Sequence, residues 1–86
     1  MNITVMVQRI LADQIPLDFQ VRITADILIV LANNPVNGSR FIAALFPEKG
    51  DLWRWRSLYS TGQNYGSLLE GLVSVRNAAI KMVTVH

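Results

Sequence analysis

Eighty-six residues hold one domain with one core, and eight basic against six acidic side chains leave a net charge of only +2. That excess is too small for the clustered phosphate contacts of a strongly basic nucleic-acid binder. The chain has no cysteine and one histidine, which removes disulfides, thiolate chemistry and the common zinc-ligand sets, while 51% of its residues are apolar, a surplus that subunit or partner interfaces commonly absorb.

Ile3, Val5 and Val7 alternate with Thr4, Met6 and Gln8, which predicts a strand; a helix from Val5 to Ala12 is the competing reading. The opening Met1-Asn2-Ile3-Thr4 has no basic n-region and no signal peptide follows, so a cytoplasmic protein is expected. Asn2-Ile3-Thr4 and Asn37-Gly38-Ser39 match the glycosylation acceptor pattern, and without a secretion signal both read as chance matches. Pro16 interrupts the first segment. Phe19, Val21 and Ile23 then alternate with Gln20, Arg22 and Thr24, a cleaner strand signal. Ile27 to Ala32 is continuously apolar, as in a strand buried on both faces, although a short buried helix has the same pattern. At six residues it falls far short of the roughly 20 that a membrane-spanning helix needs, so no membrane association is expected.

Asn33-Asn34-Pro35-Val36-Asn37-Gly38-Ser39 is the strongest turn signal. Arg40 to Phe46 reads as a strand, Pro47 to Asp51 as a turn, and Leu52 to Tyr59 as another strand closed by Ser60-Thr61-Gly62. These turns predict an antiparallel meander around residues 27–59. Gly62-Gln63-Asn64-Tyr65-Gly66 reads as a further turn: it lacks the Gly-Lys-Ser/Thr ending of a P-loop and the Gly-x-Gly-x-x-Gly spacing of a dinucleotide site. From Ser67 the period changes, and Leu68, Leu69, Leu72, Val73, Val75, Ala79, Ile80 and Met82 form the apolar stripe of an amphipathic helix over about 67–82. Ser67 with Glu70 fits a capping box, and Gly71 suggests close approach of the helix to the sheet. The expected fold is α+β: residues 1–86 form a single domain, an antiparallel sheet with the C-terminal helix packed on one face.

Trp53-Arg54-Trp55-Arg56 is the nearest thing to a binding signature. In an extended strand Trp53, Trp55, Ser57 and Tyr59 line one face, and Leu52, Arg54, Arg56 and Leu58 the other. If the indoles pack under the helix, the arginines become the exposed side. Charge is uneven: residues 1–39 carry Arg9 and Arg22 against Asp13, Asp18 and Asp26, whereas Arg40, Lys49, Arg54, Arg56, Arg76 and Lys81 outnumber Glu48, Asp51 and Glu70 in the remainder.

The second half resembles the YegP-like family of small bacterial domains, on Phe41-Ile42, Gly50-Asp51-Leu52-Trp53-Arg54-Trp55-Arg56, Gly62-Gln63 and Gly71-Leu72-Val73-Ser74-Val75-Arg76-Asn77-Ala78, about residues 41–80. The segment between Gly62-Gln63 and Gly71 is shorter than the family pattern, and residues 1–38 have no counterpart. The resemblance implies a βββα unit with a tendency to pair, and no activity.

Catalysis needs a nucleophile or base with an activating partner, and His86, the last residue, has no carboxylate near it in sequence. Asp13 and Asp18 flank the proline turn as ordinary solvated acids. A non-enzyme without cofactor or metal is expected. The leading expectation is a small protein–protein interaction module, self-associating as a homodimer or modulating a larger partner complex, with Trp53, Trp55, Tyr59, Arg54 and Arg56 as anchors. The alternative is a nucleic-acid-binding domain whose Arg54, Arg56, Arg40 and Lys49 meet phosphates on a basic sheet face. A small inhibitor encoded by a mobile element is a third, which no residue selects.

Overall fold

The computed structural model describes residues 2–34, 36 and 38–84. Seven elements follow in chain order: α1 (Ile3–Ala12), β1 (Phe19–Thr24), β2 (Ile27–Asn34), β3 (Gly38–Pro47), β4 (Trp53–Ser57), β5 (Asn64–Gly66) and α2 (Leu68–Thr84). The strands form one antiparallel sheet in the order β1-β2-β3-β4-β5, a simple meander. The fold is the expected α+β domain with α2 packed on the sheet. No helix among the described residues is long and apolar enough to cross a membrane.

The strand expected over Ile3–Gln8 is a helix. Asn2 caps it, its side-chain oxygen accepting from the Thr4 amide at 2.9 Å. Ile3, Val7, Ile10 and Leu11 then form a stripe facing the core, with Val7 and Leu11 fully buried. The β-branched residues fit a period of two equally well, and packing of that stripe outweighs their strand preference.

Two residues, Ala25 and Asp26, join β1 to β2 with φ of 49° and 67°, the backbone hand that matches the twist of a tight hairpin. The connection from β2 to β3 falls on the expected Asn33–Ser39 turn, of which Pro35 and Asn37 lie outside the described residues, as does His86. The Gly62–Gly66 turn is corrected in part: Asn64–Gly66 is a short fifth strand, its residues opposite Trp53–Trp55. Asn64 to Gly66 show no alternating apolar pattern; the strand exists because the edge of β4 offers unpaired amides and carbonyls.

One core cluster occupies one face of the sheet, between Leu28, Val30, Ala32, Ala43, Leu45 and Trp55 below and the two helices above. Helix α1 packs on β1, and α2 packs on β3, β4 and β5. A bulge interrupts the β2–β3 ladder: Val30 faces Ala43 and Leu31 faces Phe41, so Ile42 is an extra residue. Both Ile42 and Ala43 are fully buried there, and the bulge resets the alternation that places Phe41 on the opposite face.

Candidate functional site

The Trp-Arg-Trp-Arg strand divides as its period requires. Trp55 is 5% exposed beneath α2, its indole Nε1 donating to the Ser74 hydroxyl at 3.0 Å. Gly71 makes room for it: a β-carbon there would lie 3.1 Å from Trp55 Cε3 and 2.8 Å from Leu45 Cδ2. The close approach anticipated at Gly71 is therefore to two side chains of the sheet rather than to its backbone. Trp53 is half-buried against the same core. Both indoles pack on the core side of the sheet.

Arg54 and Arg56 lie on the other face. Arg54 is committed within the chain: its Nε donates to Glu48 Oε1 at 2.8 Å, and its guanidinium carbon sits 4.2 Å from the centre of the Phe46 ring. This ion pair is a quarter to a third exposed, so water screens most of its worth. Arg56 is exposed and beside a groove of about 420 Å³ whose walls include Phe41, Phe46, Ala44 and Leu58.

Residues directly opposite in an antiparallel ladder share a face, so the pairings map this surface row by row. Arg22, Ile29, Ala44 and Arg56 are successive partners across β1 to β4. Phe46, Arg54 and Tyr65 form a second row across β3 to β5, and Gln20, Leu31 and Phe41 a third across β1 to β3. Ile27 completes the apolar set on β2, one pleat along from Ile29. Phe41 is 40% exposed and Tyr65 58%; Ile27, Ile29, Leu31, Ala44 and Phe46 are half-buried and stand outside the core cluster. Both helices pack on the other side of the sheet.

The remaining sequence candidates are scattered. Arg40 is opposite Ala32, a core residue, and so projects from the helix side at the far end of β3. Lys49 is exposed in the β3–β4 turn. Tyr59 lies beyond the end of β4 and bears on the helix side, where Lys81 Nζ stands 5.5 Å from its ring centre beside a small polar cleft of about 190 Å³. The structure thus joins Arg54 and Arg56 to Phe41, Phe46 and Tyr65, and not to Arg40, Lys49, Trp53, Trp55 or Tyr59. The phenylalanines went unnoticed as site residues because the bulge at Ile42 breaks the simple alternation linking them. The visible signal was the apolar run of β2, too long for a strand with one wet face.

Among the described residues no three His, Cys, Asp or Glu side chains gather to hold a metal ion. No family model, curated protein or solved structure matches the chain, so the YegP-like resemblance of residues 41–80 rests on the quoted segments alone.

Proposed function

We propose that the chain is a non-enzymatic protein-binding module whose docking surface is the uncovered sheet face, with Phe41, Ile29 and Leu31 at its centre and Arg56 at its margin. The observation that carries this reading is β2: Leu28, Val30 and Ala32 point into the core, while Ile27, Ile29 and Leu31, half-buried, point to the face away from the helices. A one-sided antiparallel sheet ordinarily alternates apolar with polar residues, and β2 is apolar on both sides from Ile27 to Ala32. Aromatic and arginine side chains around an aliphatic patch match the usual make-up of interface hot spots. Affinity capture with the tagged full chain tests it. Proteins captured by the wild type should be lost with Phe41→Glu and with the Arg54→Glu/Arg56→Glu double variant; capture that survives both would remove this face from consideration.

One observation favours nucleic-acid binding as a second reading: Phe41, Phe46 and Tyr65 share a face with Arg54 and Arg56, so rings for stacking lie near guanidinium groups for phosphate. The aliphatic centre and the neutralisation of Arg54 by Glu48 weigh against it. Titration with a single-stranded oligonucleotide at two salt concentrations decides, because phosphate-driven affinity falls steeply with salt.

A further inference from the structure

We propose that the outer edge of β1 pairs with β1 of a second copy of this chain, antiparallel about a twofold axis at Val21, so that two sheets join into one. This edge is a different surface from the docking face proposed above, and the pairing does not depend on that face.

Backbone hydrogen bonds decide which residues look out from the edge. The Asn33 amide donates to the Asp18 carbonyl at 2.9 Å, and the register Phe19↔Ala32 places these two residues opposite each other. In an antiparallel ladder hydrogen-bonded pairs alternate with non-bonded ones. Gln20, Arg22 and Thr24 therefore turn their amides and carbonyls toward β2, and Phe19, Val21 and Ile23 turn theirs outward. The tight hairpin at Ala25 and Asp26, closed by the pair Thr24↔Ile27, has the same phase. Among the described residues no other backbone group takes up those outward amides and carbonyls.

Free edges are ordinarily blunted by lysine, proline, a bulge or shortness. β1 has six residues, no lysine or proline, and an unbroken register with β2. Its one charged side chain leans inward: Arg22 Nε donates to Gln20 Oε1 at 2.8 Å, and Gln20 Nε2 donates on to Asn33 Oδ1 at 2.7 Å. The other edge of the sheet, β5, is only three residues long.

An edge of this kind takes another strand, and the sequence of β1 complements itself. With the axis at Val21, Phe19 faces Ile23 of the other copy, Gln20 faces Arg22 and Asp18 faces Thr24. All three outward residues of each copy are then used, in about six main-chain hydrogen bonds. On the helix side Phe19 covers Ile23, which is 48% exposed in the single chain. On the opposite side Arg22 meets a second Gln20, the group its guanidinium already bonds, with Asp18 and the other Arg22 at its two diagonals. Moving the axis to Arg22 sets the two arginines directly opposite each other; moving it to Gln20 leaves Ile23 facing Leu17, outside the strand. The helices leave room for the join, because two of them about 10 Å across span roughly 20 Å of a sheet roughly 24 Å wide. Each copy spends its one long edge, so the assembly closes at two.

Edge pairing buries less than the roughly 800 Å² per partner of a standard interface, so dimerisation is expected to depend on concentration. Sedimentation equilibrium of the full chain over a roughly hundredfold concentration range measures it. Val21→Pro removes an amide that β2 does not use, and association should weaken about tenfold or more while circular dichroism stays that of the wild type. Ile23→Lys, at an exposed position, is the second edge variant and should do the same. Phe41→Glu, on the docking face, should leave association unchanged. Amide exchange followed by NMR supplies the local readout: the Phe19, Val21 and Ile23 amides should exchange about tenfold or more slowly in concentrated than in dilute protein, whereas those of Gln20 and Arg22 are protected in both. A wild type that is monomeric at every concentration overturns the proposal and leaves the docking reading to its own capture experiment. So does a dimer that survives both Val21→Pro and Ile23→Lys, or one whose three outward amides exchange no more slowly than in the monomer.

Discussion

Gly71 is the tightest point between α2 and the sheet, and its substitution by alanine has a magnitude that can be worked out. The new β-carbon would sit 2.8 Å from Leu45 Cδ2 and 3.1 Å from Trp55 Cε3, where carbon atoms prefer about 3.5–4.0 Å. Leu45 is fully buried and Trp55 nearly so, so neither can swing into solvent. Overpacking of this kind costs about 1–3 kcal/mol. Alanine in place of glycine returns up to about 1 kcal/mol of helix propensity, less so close to the helix start. The expected net is a loss of about 1 kcal/mol, seen as a melting temperature lower by roughly 4–8 °C for a domain of this size. Leu45→Ala supplies the control. Alone it should cost about 2–5 kcal/mol; in its background the space above Leu45 is open, and Gly71→Ala should be neutral or stabilising by up to about 1 kcal/mol. Urea denaturation followed by tryptophan fluorescence measures all four corners of the cycle. If Gly71→Ala stabilises the wild type, or destabilises both backgrounds equally, the close approach of α2 to Leu45 and Trp55 is wrong.

Three further outcomes follow from the same packing. Ser74→Ala strands the buried Trp55 Nε1–H and should cost about 1–2 kcal/mol in urea denaturation. Ser67→Ala breaks a reciprocal cap, in which the Glu70 amide donates to the Ser67 hydroxyl at 3.2 Å and the Ser67 amide to the Glu70 carboxylate at 3.0 Å; a loss of about 1 kcal/mol is expected by thermal melt. Glu48→Gln keeps an acceptor for Arg54 and removes only a screened charge, so its melt should move by less than about 0.5 kcal/mol equivalent.

The sheet from Ile27 to Ser57 was legible from the turns between its strands and the period of β4, and the C-terminal helix from its apolar stripe. Ser67 and Glu70 announced the start of α2, and they do form the cap. The first helix was not legible as such, because Ile3, Val5, Met6 and Val7 are all apolar and satisfy both periods. The clue was Asn2, whose place in a chance glycosylation triplet concealed a helix cap. β5 has no pattern of its own and takes its conformation from β4. Tryptophan beside arginine drew the sequence reading to β4, and its period correctly separated the two residue types. What it could not give was the neighbour on β3, since a single extra residue at Ile42 shifts Phe41 relative to Ala44.

The reason the bulky indoles face inward while Phe41 and Phe46 face out lies in the economy of layers. A sheet of five strands has two faces, and 86 residues leave enough chain for a ten-residue and a seventeen-residue helix. Two such helices lie side by side over one face and cannot also reach the other, so the domain has two layers rather than three. Trp55 fills the space under α2 that smaller residues would leave hollow, with Gly71 thinned to admit it. On the opposite face a domain made to stay alone would place threonine, lysine or glutamate. This chain keeps such residues to the flanks, at Gln20, Arg22 and Thr24 on β1, and places Ile27, Ile29, Leu31, Phe41 and Phe46 across the middle. The strand that looked from sequence like a two-sided core strand has one core face, made by Leu28, Val30 and Ala32, and one half-buried apolar face, made by Ile27, Ile29 and Leu31.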